Sequence, residues 1–290
     1  MTAIIFGANG QDGFYLSEEL KGKGFDVIGV SRSGNFIKTD ITDFLQVSAL
    51  IRDNVPSMIF HFAANSTARH DAMFENHNTI CTGTLNILEA VRLYSPGSKV
   101  FISGSALQFR NIGQPIKETD VFEARDPYSV SRIHSVYAAR YFRTLGLKVY
   151  VGYFFNHDSP LRSERHVAMK VAAAAKRIAS GSTEKLEIGD LSVEKEWSFA
   201  GDLMKALMIF MEQEKIFEVN LGSGKGYAIK EWADACFSAV SLDYKDHVVE
   251  SGGFKADYQR LVCDPSLLFS LGYAPRTDFS SLAQMMVHDR

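Results

Sequence analysis

MTAIIFGANGQDGFYLSEEL, residues 1–20, is the stretch on which the fold turns. Residues 3–6 form a short apolar run of the kind found in buried parallel strands. Gly7, Gly10 and Gly13 follow in G-x-x-G-x-x-G spacing. A helical pattern comes next, with Phe14, Leu16 and Leu20 on its apolar side, and closes near Gly22 and Gly24. A glycine turn between a first strand and a helix is what a bound pyrophosphate requires. Side chains there would block backbone approach, and the helix start offers N–H groups that lack intrahelical partners. Gly7, Gly10, Gln11, Asp12 and Gly13 are therefore expected to line a dinucleotide site.

Outward from this turn the pattern alternates. Residues 25–30, 58–62, 99–103 and 149–154 read as strands, and residues 44–51, 84–93 and 128–142 as helices. That order implies an α/β, Rossmann-like, doubly wound parallel sheet covered on both faces. Beyond Asn156 the rhythm loosens. Helices are expected at 166–178 and 202–211, with a short strand at 186–188 and another at 218–221 that returns to the sheet. The expected division is a dinucleotide-binding part over residues 1–155 and a smaller, mainly substrate-binding part over 156–290, with the chain crossing between them.

Composition narrows the function. The 290 residues are 46% hydrophobic and 22% charged, with net charge −3 and pI about 6.2. A general nucleic-acid binder needs a basic footprint that this balance lacks. Cys81, Cys236 and Cys263 are scattered and odd in number, which suggests neither a disulfide framework nor a metal site. No apolar run approaches a membrane span, and the amino terminus enters the first strand directly. A cytoplasmic protein without membrane partners is expected.

After the second expected strand the sequence reads Ser31-Arg32-Ser33, where NAD-selective sites usually carry an acid for the ribose 2′-hydroxyl. Arginine between hydroxyls suits a 2′-phosphate, so NADP is favoured and NAD remains possible. Asp40 and Ile41 are placed to meet the adenine, and Ala63 and Ala64 are small enough for a cofactor to lie against the third strand's end. Ser105 follows the fourth strand. Tyr128 opens a helix with Arg132 one turn later on the same face. This is the skeleton of a Ser–Tyr acid/base pair, with the cation favouring the phenolate.

Further segments carry a resemblance along nearly the whole chain. GANGQDG with YLSEEL, HFAANS, DPYSVSR, FNHDSP at 155–160, KEWSFAGD at 195–202 and CDPSLLFSLGYAP together resemble the GDP-mannose 4,6-dehydratases and their reductase relatives, within the extended short-chain dehydrogenase/reductase group. The resemblance implies that Asn156 contacts the diphosphate or sugar, that Lys170 and Lys195 face the nucleotide diphosphate, and that a homodimer forms through the long helices. Three features depart from it. Ala106 and Leu107 stand where the dehydratases place a glutamate two residues after the catalytic hydroxyl, and neither can transfer a proton. Arg132 replaces the family's helical lysine, keeping the charge in a planar, bulkier group. The loop after Arg32 is short. The expected activity is a 4-keto reductase acting on a GDP-linked (6-deoxy)hexose. Nucleotide-sugar epimerase, 4,6-dehydratase and non-catalytic binding protein are the alternatives.

Overall fold

A computed structural model describes residues 1–253 and 256–289. The strands are β1 (Thr2–Phe6), β2 (Asp26–Val30), β3 (Met58–His61), β4 (Lys99–Ser105), β5 (Lys148–Phe154), β6 (His157–Asp158), β7 (Leu186–Ile188), β8 (Glu194–Glu196), β9 (Ser198–Phe199) and β10 (Glu218–Leu221), followed by three shorter ones, β11 (Gly226–Ala228), β12 (Val248–Glu250) and β13 (Arg260–Leu261). Six of them build a parallel sheet in the order β10-β5-β4-β3-β1-β2. The order reverses between β1 and β3, the point at which open α/β sheets place their ligands.

Helices α1 (Gln11–Gly22), α2 (Phe44–Asn54), α3 (Met73–Asn76), α4 (Gly83–Tyr94), α5 (Pro127–Thr144), α6 (Val167–Ala179) and α7 (Ala200–Met211) connect and cover the strands. One face of the sheet packs Ile4, Val100, Ile102 and Val149 against the α2, α4 and α5 side. The other packs Ile5, Phe60, Phe101 and Tyr150 against α1 and α7. Alternate residues of one strand thus feed opposite cores, as the two-residue period of a strand requires. A third core joins α6 to the C-terminal helices through Trp197 and Trp232, whose rings stack 4.5 Å apart.

Two local expectations need correction. Phe14 is not on the packed side of α1. It is 47% exposed, while Gly13, Leu16 and Leu20, spaced by three and four, form the buried face. The fourth strand does not stop at Ser103. It pairs with β5 as far as Ser105↔Phe154, so Ser105 ends the strand itself.

Two carboxyl groups tie the outer strand β10 and the loop after it to the rest. Glu218 accepts from Arg140 Nε and Nη2 at 2.9 and 2.7 Å, from Arg143 Nη1 at 2.8 Å and from the Tyr153 hydroxyl at 2.5 Å. Glu196, fully buried on β8, accepts the backbone N–H groups of Ser223 and Cys263 and so holds the loop after β10.

Candidate active site

A cleft runs across the carboxyl ends of the sheet strands. Its first part is a cavity of about 1170 Å³ lined by the glycine turn, the end of β2 and residues 62–64. Its second part, about 380 Å³, lies over β4, α5 and the segment after β5. The two share Gly7, Gly10, Phe62 and Ala64 as walls, so they form one continuous groove.

The three glycines have different reasons to be glycine. Gly7 has φ +93°, and a Cβ there would sit 2.7 Å from Ala63 N. A Cβ on Gly13 would meet Ala8 Cα and Gly7 O at 2.6 Å, so this glycine lets α1 pack on the turn. At Gly10 the nearest atom to a built Cβ is Gly7 O at 3.4 Å, an ordinary contact. The space that Gly10 leaves opens into both cavities, beside an α1 amino end that no side chain caps. That is the cradle a pyrophosphate fits.

Gln11 and Asp12 also line the second cavity, but their side chains are engaged with the segment after β5. Gln11 Nε2 donates to His157 O at 3.2 Å, and the Ser159 hydroxyl donates to Gln11 Oε1 at 2.9 Å. Asp12 Oδ1 lies 2.9 Å from His157 Nε2, while His157 Nδ1 lies 2.8 Å from Phe155 O. A carbonyl and a carboxylate only accept, so both ring nitrogens must donate and the ring is an imidazolium. Burial works against the charge on each partner. The attraction and hydrogen bond between them prevail, raising His157 and lowering Asp12. The turn is thereby latched to residues 155–159, of which Phe155, Asn156 and His157 line the second cavity.

At the wide end, Arg32 and Ser33 line the first cavity with Lys38, Asp40, Ile41, Ala63 and Ala64. Asp40 Oδ1 accepts the Thr42 N–H and hydroxyl at 2.9 and 2.8 Å. Arg32 is not free. Its Nη2 donates to Glu75 Oε1 at 2.9 Å, and Asn65 Nδ2 holds the other Glu75 oxygen at 2.8 Å.

Ser105, Tyr128 and Arg132 line the second cavity together. Asp126 caps α5 by accepting the Ser129 N–H at 2.8 Å, with Pro127 at the first helical position, and this fixes Tyr128 in the first turn. Ser105 Oγ accepts the Leu107 N–H at 3.2 Å and keeps its own proton to donate. Arg132 is buried. Its Cζ stands 5.1 Å from the Tyr128 ring centroid, and its Nη1 donates to the Ser103 carbonyl and, at 2.6 Å, to the Ser103 hydroxyl. His61 lies behind it, pushed to about 3 by burial and the nearby guanidinium, and so stays neutral. The positive charge at the strand end belongs to Arg132.

Asn156 also lines this cavity, and its Oδ1 is buried without a partner. The two lysines do not reach the wall. Lys170 turns outward and donates to Glu187 O at 2.7 Å. Lys195 is buried on β8 with its Nζ 4.9 Å from the Trp197 ring, and burial pulls it down to about 8. The cationic wall is made instead by Arg162 and Arg165, with His166 beside them just before α6. Arg162 Nε donates to Asp158 at 3.2 Å. His166 is pushed down to about 4 by burial and by Arg162. These residues follow FNHDSP directly, but the sequence has no spacing rule that singles them out. Among the described residues lining the second cavity, Asp12 is the sole carboxylate, and it is bound to His157. Leu107 is part of the same wall.

Residues 4–286 match the family model for GDP-mannose 4,6 dehydratase. The chain is 32% identical to GDP-mannose 4,6 dehydratase 2 of Arabidopsis thaliana over 99% of its own length and 86% of the relative's. It is 27% identical to a GDP-mannose 4,6-dehydratase of Vibrio cholerae, covering 83% of this chain and 72% of that one. Among solved structures, UDP-glucose 4-epimerase of Thermotoga maritima with UDP-glucose superimposes with TM-score 0.88 at 22% identity, covering 99% of this chain and 97% of that one. RMD of Pseudomonas aeruginosa complexed with NADPH gives TM-score 0.88 at 19% identity, covering 99% and 96%. At such identities the structural likeness establishes the Rossmann-type fold.

Proposed function

From the premise that this chain belongs to the GDP-mannose 4,6-dehydratase family, we propose that it is an NAD(P)-dependent nucleotide-sugar oxidoreductase. Its activity is reduction of a 4-keto group on a GDP-linked (6-deoxy)hexose. The observation that carries this is the second cavity's wall, which pairs Ser105 and Tyr128 with a buried cation while presenting Leu107 and no uncommitted carboxylate among the described residues. Dehydration needs a group that removes the C5 proton and another that protonates the departing C6 hydroxyl. Among the described lining residues, Asp12 and His157 are spent on each other and on the Phe155 carbonyl, and His166, held near 4, carries no proton to give at neutral pH.

Gly7, Gly10, the α1 amino end, Arg32, Asp40, Ile41, Ala63 and Ala64 would hold the dinucleotide, with the 2′-phosphate at Arg32 favouring NADP(H). A nicotinamide held there would supply the hydride. Tyr128 gives its phenolic proton to the C4 oxygen, and Ser105 shares the hydrogen bond to that oxygen as negative charge develops. Arg132, pinned by Ser103 against the Tyr128 ring, stabilises the phenolate left behind. Asn156, with its unpartnered oxygen, and the Arg162–His166 segment receive the sugar and diphosphate. Val130, Tyr137 and Tyr141 expose an apolar stripe along α5, which supports pairing of this helix with its copy in a homodimer.

A second reading, 4,6-dehydratase, is favoured by the relatives, which are GDP-mannose 4,6-dehydratases. One experiment separates the two. The protein is incubated with GDP-mannose and NADP, and separately with the GDP-linked 4-keto-6-deoxy sugar and NADPH. NADPH oxidation in the second mixture without a 4-keto product in the first is the expected result. Steady accumulation of that product in the first overturns the reductase reading in favour of dehydration.

A further inference from the structure

The acid that dinucleotide sites usually place after the second strand is missing at residues 31–33. Another element supplies one to the same corner. Glu75, on α3, lines the first cavity alongside Ser31, Arg32 and Ser33. Its two oxygens are held from opposite sides, by Arg32 Nη2 at 2.9 Å and Asn65 Nδ2 at 2.8 Å. Asn65 belongs to the segment that leaves β3, and the next residue of α3, Asn76, is buried and donates to Thr67 O at 3.0 Å. Glu75 is therefore held at both oxygens, and its side chain is 41% exposed against 76% for Arg32, the outer member of the pair.

We propose that Glu75 is the residue that sets this protein's discrimination between dinucleotides with and without a 2′-phosphate, by competing for Arg32. The inference rests on the dinucleotide reading of the cleft given above. A 2′-phosphate reaching Arg32 must either pull the guanidinium from Glu75 or stand as a second anion beside a carboxylate that Asn65 holds. The hydrogen bonds from Arg32 and Asn65 keep that carboxyl below its ordinary range, so it is charged at neutral pH. A 2′-hydroxyl meets no such penalty and can donate to the same carboxylate. Lys38 and Asp40 also line this cavity, with opposite charges, so neither sign dominates the corner. Releasing Arg32 from this competition, so that its guanidinium serves the phosphate alone, is expected to change affinity by roughly tenfold, about 1.4 kcal/mol.

The test is direct titration of NADH and NADPH, followed by nicotinamide fluorescence, against the wild type, Glu75→Gln, Arg32→Ala and the double variant. Glu75→Gln is expected to raise the NADPH/NADH affinity ratio by about tenfold, with the gain shrinking at high salt. The gain is expected to shrink to a small remainder when Arg32 is already alanine, because only the direct repulsion between Glu75 and the phosphate is then left to remove. An unchanged ratio in Glu75→Gln, or a full gain in the Arg32→Ala background, overturns the role of Glu75 while leaving the cofactor assignment intact. A wild type that binds neither dinucleotide overturns the cofactor reading and this inference with it.

Discussion

Replacing Asp12 by asparagine is expected to reverse the sign of one pH dependence of stability. In the wild type, the His157 imidazolium donates to Asp12 and to the Phe155 carbonyl from a site only 9% exposed. Burial alone would lower its pKa, and the carboxylate overrides burial and raises it. The unfolded ring titrates near ~6.5. The raised group therefore contributes stability that is complete below about pH 6.5 and is lost as pH rises through the folded pKa. Asp12, whose pKa is lowered, contributes above its unfolded value near ~4 and loses that only in more acidic solution. In Asp12→Asn the new amide would keep the shape and an accepting oxygen but not the charge. Burial and the Arg162 guanidinium would then govern the ring, and both push its pKa down. A buried neutral histidine must lose stability as pH falls below about 6.5, by up to ~1.4 kcal/mol per unit, because only the unfolded chain takes the proton. From pH 6.5 to pH 5 that amounts to about 2 kcal/mol, added to the ~1.5–3 kcal/mol of the lost charge-assisted hydrogen bond. Urea unfolding of both proteins at pH 5, 6, 7 and 8 reads the difference. A stability gap that stays constant across this range would refute the imidazolium assignment, since no other group in the latch changes charge there.

Three other outcomes follow from the same geometry. Tyr128→Phe keeps the ring over Arg132 but removes the transferable proton, so turnover of the true substrate should fall by ~10²–10⁴ with dinucleotide affinity nearly unchanged; undiminished turnover removes the proposed acid. Arg132→Lys should preserve or raise turnover if the charge is what matters, and a loss of more than about tenfold would show that the two-point grip on Ser103 is needed. The Glu218 carboxyl is pushed down to about 2, as hydrogen bonds from Arg140, Tyr153 and Arg143 outweigh burial. It should contribute about 3 kcal/mol that is present above pH ~4.5 and lost towards pH 2, so Glu218→Gln should flatten acid unfolding in that window, and an unchanged acid limb would contradict it.

The parts of this protein that could be read from its sequence are those encoded by neighbours in the chain. The strand–glycine–helix order of residues 1–20, the alternation of apolar runs and the one-turn spacing of Tyr128 and Arg132 all depend on contacts within a few residues, and helix and strand periods translate them into geometry. Even there, Phe14 fell on the other side of its helix, because one position along a helix is a rotation of about 100°, enough to carry an aromatic ring from core to solvent. The family resemblance added Asn156, which lies on the cavity wall, but also Lys170 and Lys195, which do not. What the sequence left undecided are the pairings made across long separations: Asp12 with His157, Gln11 with Ser159, Arg32 with Glu75, and Arg132 with Ser103. A side chain's charge state and reach depend on which partner the topology brings to it and on how much water is excluded there. Those quantities exist only once the sheet has ordered its strands and the segment after β5 has closed over the glycine turn.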